Sequence, residues 1–319
     1  MKVLVSGGGT GGHINPALAI ADKIKKENPD AVIEYVGTAR GLEATLVPKA
    51  GLKIHFIKVK GFRRKLTLEN FDAAVKAVTS VWAAKKIIKN FCPDIVVGTG
   101  GYVCWPVLKA AAKMGIPTIV HESNAYPGVT TKMLSKYVDK VLLGFRESEK
   151  YLDCDKSKLC YVGTPVSEKM LSANKEKARA ELGLTDGDKV LVSAGGSLGA
   201  KPLNDNVYEL VKNYTLPEGV HHFHATGNGG FDEQSELYKK LGFEEVEDGV
   251  LKKGNVTICR YIYNMHTLLS ASDVAICRAG AMTLSELAVL GKAAVIVPSP
   301  YVTNTLDRIY ELVKELAKK

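Results

Sequence analysis

The sequence predicts an α/β protein made of two Rossmann-like, doubly wound domains that face a cleft. Three observations carry that expectation. Short β-branched runs alternate with longer helical stretches, the rhythm of βαβ units. The pentapeptide KVLVS occurs at 2–6 and again at 189–193, each time followed by a glycine-rich loop and a helical pattern. The chain has 319 residues, too many for one ordinary domain and enough for two.

In the first half, KVLVS (2–6) leads through GGGTGGH (7–13) into a helical pattern at 16–27, and AVIEYVG (31–37) follows. DIVVG (94–98), PTIV (117–120) and KVLL (140–143) read as further buried parallel strands. In the second half, KVLVS (189–193) leads through AGGSLGA (194–200) into a helix. HHFHATG (221–227), NVTI (255–258), DVAI (273–276) and AAVIVP (293–298) supply its later strands. GTPVSE (163–168) reads as the linker, which sets domains at 1–163 and 164–303, with a terminal amphipathic helix over 304–319. Loops at the carboxyl ends of both sheets are then the places to look for a ligand.

Composition narrows the function. Hydrophobic residues make up 46% and charged residues 24%, which is globular and excludes a disordered chain. No stretch approaches the roughly 20 apolar residues of a membrane span, and MKVLVSGGG is no signal peptide. Six cysteines form neither a C-x-x-C pair nor a zinc spacing, so reduced thiols in a cytosolic protein are expected. The net charge of +9 is uneven: residues 1–163 hold 25 basic against 14 acidic side chains, and the remainder 18 against 20. A basic first half points to nucleic acid, an anionic membrane surface or a phosphorylated substrate, or else to a solvated face.

The glycine loops carry the chemistry. Gly7, Gly9 and Gly12 fit G-x-G-x-x-G, with Glu34 22 residues beyond, which alone would suit a nicotinamide-dependent oxidoreductase. His13 has no obvious use there. At a helix start an imidazole is kept neutral and can accept a proton, or it simply caps the first turn. HESNAYPG (121–128) gathers His121, Glu122 and Asn124 at another strand end, and TGGYV (99–103) adds a third loop on the same rim. In RAGAMTLSE (278–286), Thr283 and Glu286 fit a capping box; alternatively Glu286 accepts from ribose hydroxyls. His222 and His224 share a strand face as a metal pair or a buried pair. Segment 60–90 mixes Phe62, Leu66, Leu68, Phe71, Val75, Val78, Val81 and Trp82 with Lys60, Arg63, Arg64, Lys65, Lys76, Lys85, Lys86 and Lys89, a helix core face or an interfacial membrane patch. No G-x-x-x-x-G-K-S/T loop is present.

Seven segments occur in order: GGGTGGHINPALAIA (7–21), VGTARGLEATLVPKAG (36–51), GTGGYVCWP (98–106), HESNAYPG (121–128), GTPV (163–166), GGSLGAKPLN (195–204) and RAGAMTLSELAVLGKAAVIVPSP (278–300). With them the chain resembles the MurG family of N-acetylglucosaminyltransferases, from residue 1 to about Asn304. The resemblance implies a GT-B fold and an inverting transfer of GlcNAc from UDP-GlcNAc to lipid I, giving lipid II in peptidoglycan synthesis. It implies roles by position: His13 as general base; Thr10, Gly11 and Gly12 as donor and acceptor contacts; Asn124 on the donor sugar; and Glu122 and Tyr102 on the acceptor side. Ser197 matches the serine near the diphosphate, Ile262 the residue beside uracil, and Ala281, Met282, Thr283, Leu284, Ser285 and Glu286 the loop that ends on ribose. It also implies a peripheral enzyme on the cytoplasmic face of the bacterial cell membrane, docked to anionic lipid through the 60–90 region, with no nucleic acid partner. With no metal-ligand cluster or D-x-D-like pair placed at a loop tip, neither a catalytic metal nor a cofactor is expected. Two departures stand out. Ser167 occupies a position where the family commonly has arginine, and after PSPYVTN the chain passes directly into TLDRIYELVKELAKK, which implies a shortened C-terminal domain. A binding-competent but inactive homologue is the remaining alternative.

Overall fold

The computed structural model describes residues 1–59 and 69–298, the side chains of 69–78 excepted. The sequence readings at Lys60 to Leu68, the side chains of Phe71, Val75, Lys76 and Val78, and the terminal helix 304–319 lie outside the described residues.

The first sheet contains β1 (Lys2–Ser6), β2 (Val32–Gly37), β3 (Lys53–Phe56), β4 (Ile95–Gly98), β5 (Thr118–Glu122), β6 (Lys140–Leu143) and β7 (Leu159–Tyr161). Its order is β3-β2-β1-β4-β5-β6-β7, every pair parallel. The helices between them are α1 (Gly11–Glu27), α2 (Glu43–Lys49), α3 (Glu69–Phe91), α4 (Cys104–Lys113) and α5 (Val129–Leu134), with α6 (Glu168–Leu171) after the last strand. Alternation along β1 shows why the sheet is covered on both faces. Val3 and Val5 pack with Ile14 and Ala17 of α1, whereas Leu4 packs with Ile88 of α3 and Leu108 of α4.

The second sheet contains β8 (Lys189–Ala194), β9 (Val220–Ala225), β10 (Glu244–Glu247), β11 (Val250–Lys253), β12 (Val256–Cys259), β13 (Val274–Arg278) and β14 (Ala293–Val297), in the order β10-β11-β12-β9-β8-β13-β14. Five strands run parallel, and the β10–β11 hairpin joins the edge antiparallel through Asp248 and Gly249. Along this half of the chain the helices are α7 (Lys175–Glu181), α8 (Lys201–Asn213), α9 (Phe231–Lys240), α10 (Met265–Ala271) and α11 (Ala281–Val289), the last of which falls with the first unit.

Both predicted α/β halves are therefore present, each with more strands than the sequence reading assigned. Two compact units result: Met1–Asn174 together with Gly280–Gly291, and Lys175–Ala279 together with the stretch containing β14. GTPVSE and α6 belong with the first unit. Lys23 and Lys26 of α1 both pair with Glu168 at the start of α6, at 3.7 and 2.5 Å.

Candidate active site

The first glycine loop is held from three directions. Tyr35 of β2 donates its hydroxyl to the Gly7 carbonyl at 2.8 Å, and Thr99 donates to the His13 carbonyl at 2.5 Å. From α2, the fully buried Glu43 accepts from Gly9 N–H on Oε2 at 3.2 Å. Its Oε1 accepts from Thr38 N–H and hydroxyl at 3.0 and 2.6 Å. Thr10 is extended (φ −140°, ψ 158°), and its carbonyl accepts from His13 and Ile14 N–H, which starts α1.

His13 has one ring nitrogen committed. Nδ1 lies 3.1 Å from the Gly8 carbonyl and 3.3 Å from Thr10 Oγ1. A carbonyl can only accept, so Nδ1 carries the proton and Nε2 keeps a lone pair. Burial holds the His13 pKa below its ordinary value, opposed by the Gly8 hydrogen bond and by the charges of Glu122 and Glu43. A neutral imidazole with Nε2 as acceptor is the protonation state a general base needs.

The two other predicted loops of this rim close around the same residue. Gly100 lies against the imidazole, where a Cβ would stand 2.7 Å from Cδ2 and 3.1 Å from Nε2. Gly101, at φ +81°, lies directly against the Gly8 carbonyl, and the Tyr102 ring lies over Gly9. In the third loop Glu122 is buried and both its oxygens are engaged. Oε1 accepts from Asn124 N–H and Nδ2 at 2.9 and 2.8 Å, and Oε2 from Gly128 N–H at 2.9 Å. Glu122 thus folds HESNAYPG back on itself and presents the exposed Asn124. His121 is fully buried, and its Nε2 donates to the Gly163 carbonyl at 2.9 Å, so it ties loops together and offers nothing to a ligand. Thr10, Gly11, Gly12, His13, Tyr102, Glu122 and Asn124 are therefore gathered at the carboxyl ends of β1, β4 and β5.

In the second sheet, Ser197 sits in the turn after β8, and the buried Ile262 in the loop after β12, both at carboxyl ends. The GGSLGA loop is docked backbone to backbone. Gly199, at φ +85°, lies against the Thr226 carbonyl, and Asn228 and Gly229 donate to the Ser197 and Leu198 carbonyls.

The capping-box reading of Thr283 and Glu286 is corrected. Gly280 is the N-cap of α11 and the helix begins at Ala281, so Thr283 lies within the first turn with no capping bond. The geometry leaves Glu286 uncommitted to a cap, and burial pushes its carboxyl up to about 7. Met282 is buried, while Ala281, Thr283, Leu284 and Ser285 are half-buried, with Ser285 donating to the Ala281 carbonyl at 2.9 Å. His222 and His224 are a buried pair, joined by Ser193 Oγ at 2.7 and 2.8 Å. Among the described residues no group of three His, Cys, Asp or Glu converges as a metal site. Glu34 also loses its nucleotide reading, since it lies mid-strand in β2 and pairs with Lys53 and His55 of β3. Sequence reasoning missed Glu43, Thr38 and Thr99, because their roles follow from three-dimensional proximity and not from a spacing within one motif.

The chain matches the glycosyltransferase family 28 N-terminal domain over residues 3–143 and the family's C-terminal domain over residues 190–319. It is 48% identical over 303 residues to the UDP-N-acetylglucosamine–N-acetylmuramyl-(pentapeptide) pyrophosphoryl-undecaprenol N-acetylglucosamine transferase of Acetivibrio thermocellus, covering 95% of this chain and 79% of the relative. Identity to the protein of that name from Ruminiclostridium cellulolyticum is 45%, covering 95% and 80%. Among solved structures, Acinetobacter baumannii MurG superposes with a TM-score of 0.59 at 30% identity, covering 95% of this chain and 80% of that one. An S. aureus MnaA–UDP structure reaches 0.63 at 13% identity over 94% and 80%, which is likeness of fold alone.

Proposed function

The chain belongs to the MurG branch of glycosyltransferase family 28, and from that premise we propose how its residues carry the reaction. It is an N-acetylglucosaminyltransferase of peptidoglycan synthesis, with a GT-B-type pair of α/β domains, that transfers GlcNAc to lipid I. UDP-GlcNAc is the donor.

The observation that carries the residue assignment is the neutral His13 imidazole, held by its Nδ1 side with Nε2 left as a base. His13 Nε2 takes the proton of the acceptor C4 hydroxyl as that oxygen attacks the anomeric carbon. The C1–O4 bond forms while the bond from C1 to the diphosphate breaks, the configuration inverts, and UDP leaves with the electron pair. Glu122 acts by presenting Asn124 to the sugars, and Tyr102 borders the acceptor. Ser197 faces the diphosphate, Ile262 the uracil, and Glu286, raised toward neutrality by burial, the ribose hydroxyls. Gly-loop amides and the amino end of α1 supply the dipoles that favour the developing negative charge.

Peripheral docking to the inner leaflet of the cell membrane is supported by α3. Val81, Ala84, Ile88 and Phe91 turn to the core, while Trp82, 70% exposed, shares the outer face with Lys85, Lys86 and Lys89. The Lys85 ammonium stands 5.5 Å from the Trp82 ring centroid. The described part of segment 60–90 thus serves both readings, one on each helix face. No helix among the described residues is long and apolar enough to cross a membrane.

The test is transfer of labelled GlcNAc from UDP-GlcNAc to a soluble lipid I analogue, run with and without chelator. Chelator-insensitive product is expected. Folded protein that binds UDP-GlcNAc but forms no product would reduce the proposal to a binding protein.

A further inference from the structure

The Gly8 carbonyl and the Gly9 N–H belong to one peptide group. Being trans, that group points its oxygen one way and its hydrogen the other. On the oxygen side is His13 Nδ1, at 3.1 Å; on the hydrogen side is Glu43 Oε2, at 3.2 Å. The other carboxylate oxygen is anchored by Thr38, and Glu43 itself is fully buried. We propose that Glu43 is a positioning residue for His13, acting through the Gly8–Gly9 peptide group to fix the imidazole tautomer. A carboxylate on the N–H side polarises the amide and makes its carbonyl a stronger acceptor, and it prevents the peptide from flipping. A flipped peptide would offer His13 an N–H instead of a carbonyl, and the proton would move to Nε2. The arrangement does the work of the buried carboxylate in a Ser-His-Asp triad with a peptide group inserted. Gly101 packs directly on the same peptide and Gly100 on the ring, so the unit is clamped from the other side as well. Among the described residues, Glu122 and Glu43 are the charged groups that act on His13.

This rests on His13 being the base, and the test separates the two ideas. In the full-length protein without substrate, 15N-histidine NMR reads the His13 tautomer directly. Wild type is expected to show Nδ1–H, and Glu43→Gln a mixture with Nε2–H and a lower His13 pKa. A directly bonded carboxylate is worth about 10⁴ in turnover; through the peptide, Glu43→Gln is expected to lower kcat roughly 10- to 100-fold, with both KM values within about twofold. In a His13→Ala background the same substitution should cost nothing further, because its route to the reaction is gone. Nε2–H in wild type overturns the proposal, even if Glu43→Gln fails to fold. An unchanged tautomer with a loss that persists beside His13→Ala also overturns it, since that is what a merely structural role gives. If the tautomer follows Glu43 but His13→Ala turns over normally, the relay stands and the base assignment falls.

Discussion

Burial shifts the titration of both His13 and Glu286, favouring the neutral form of each. Burial keeps the imidazole neutral and its Nδ1 bond leaves Nε2 free to accept, so His13→Ala should lower kcat by roughly 10²–10⁴ with little change in donor binding. Steady-state kinetics on the soluble acceptor checks this, and near-normal turnover would remove His13 from the role. Burial alone raises Glu286 to about 7. If it accepts from ribose hydroxyls, donor affinity should weaken as pH falls through that value, and Glu286→Gln should raise the donor KM and flatten the dependence. Isothermal titration with UDP from pH 8 to 6 reads it; a pH-independent wild type would detach Glu286 from the nucleotide. At this scale the sequence was informative wherever chemistry lay inside one motif, as with His13 in GGGTGGH. It was silent on Glu43, whose partners lie at Gly9 and Thr38, because nothing in RGLEATL says that its carboxylate is buried beneath another loop.

The elements that carry the site are strand ends and the glycine turns that follow them, and two of those turns touch with no room for a side chain. Gly199 combines φ +85° with backbone contact to Thr226 and Gly227, so Gly199→Ala should cost about 1–3 kcal/mol and lower donor affinity together. Thermal unfolding and UDP titration would show it, and an unaltered Tm would mean the loop relaxes freely. On α3, Trp82→Ala should weaken binding to vesicles of anionic lipid, more so as salt rises, while turnover on the soluble acceptor holds. Equal vesicle binding would place the membrane contact elsewhere. The parallel strands were readable because burial on both faces makes them continuous apolar runs, as in DIVVG. β3 and β7 escaped because they are edge strands of half-buried residues, and β10 because EEVE is exposed throughout and shows neither an apolar run nor clean alternation. The Asp248-Gly249 pair was the available hairpin signal.

Across the whole molecule, stability against acid should be limited by the second sheet. His222 and His224 are fully buried on β9, and burial lowers them to about 4 and about 3. The ordinary histidine value of 6.5 applies once the chain unfolds, so between these values the unfolded state binds more protons. Their contribution is complete above about pH 6.5 and is lost on the way down, with a slope approaching about 1.4 kcal/mol per pH unit for each histidine. Denaturant titrations at pH 7.5, 6 and 5 should therefore show falling stability; a flat series would mean the pair is hydrated or already charged. The two-sheet architecture itself was legible from the KVLVS repeat and its glycine loops, because each half repeats the same local grammar. The second sheet also ends in a ribbon whose outer strand carries Glu244, Glu245 and Glu247, with a register shift between the last two. Like charges and a bulge discourage a second copy from adding a strand there. The tip of that ribbon touches the loop after β12, since the Gly249 carbonyl accepts from Arg260 N–H at 2.8 Å, so a fluorophore grafted at Asp248 would report on the surroundings of Ile262 from the edge of its own sheet.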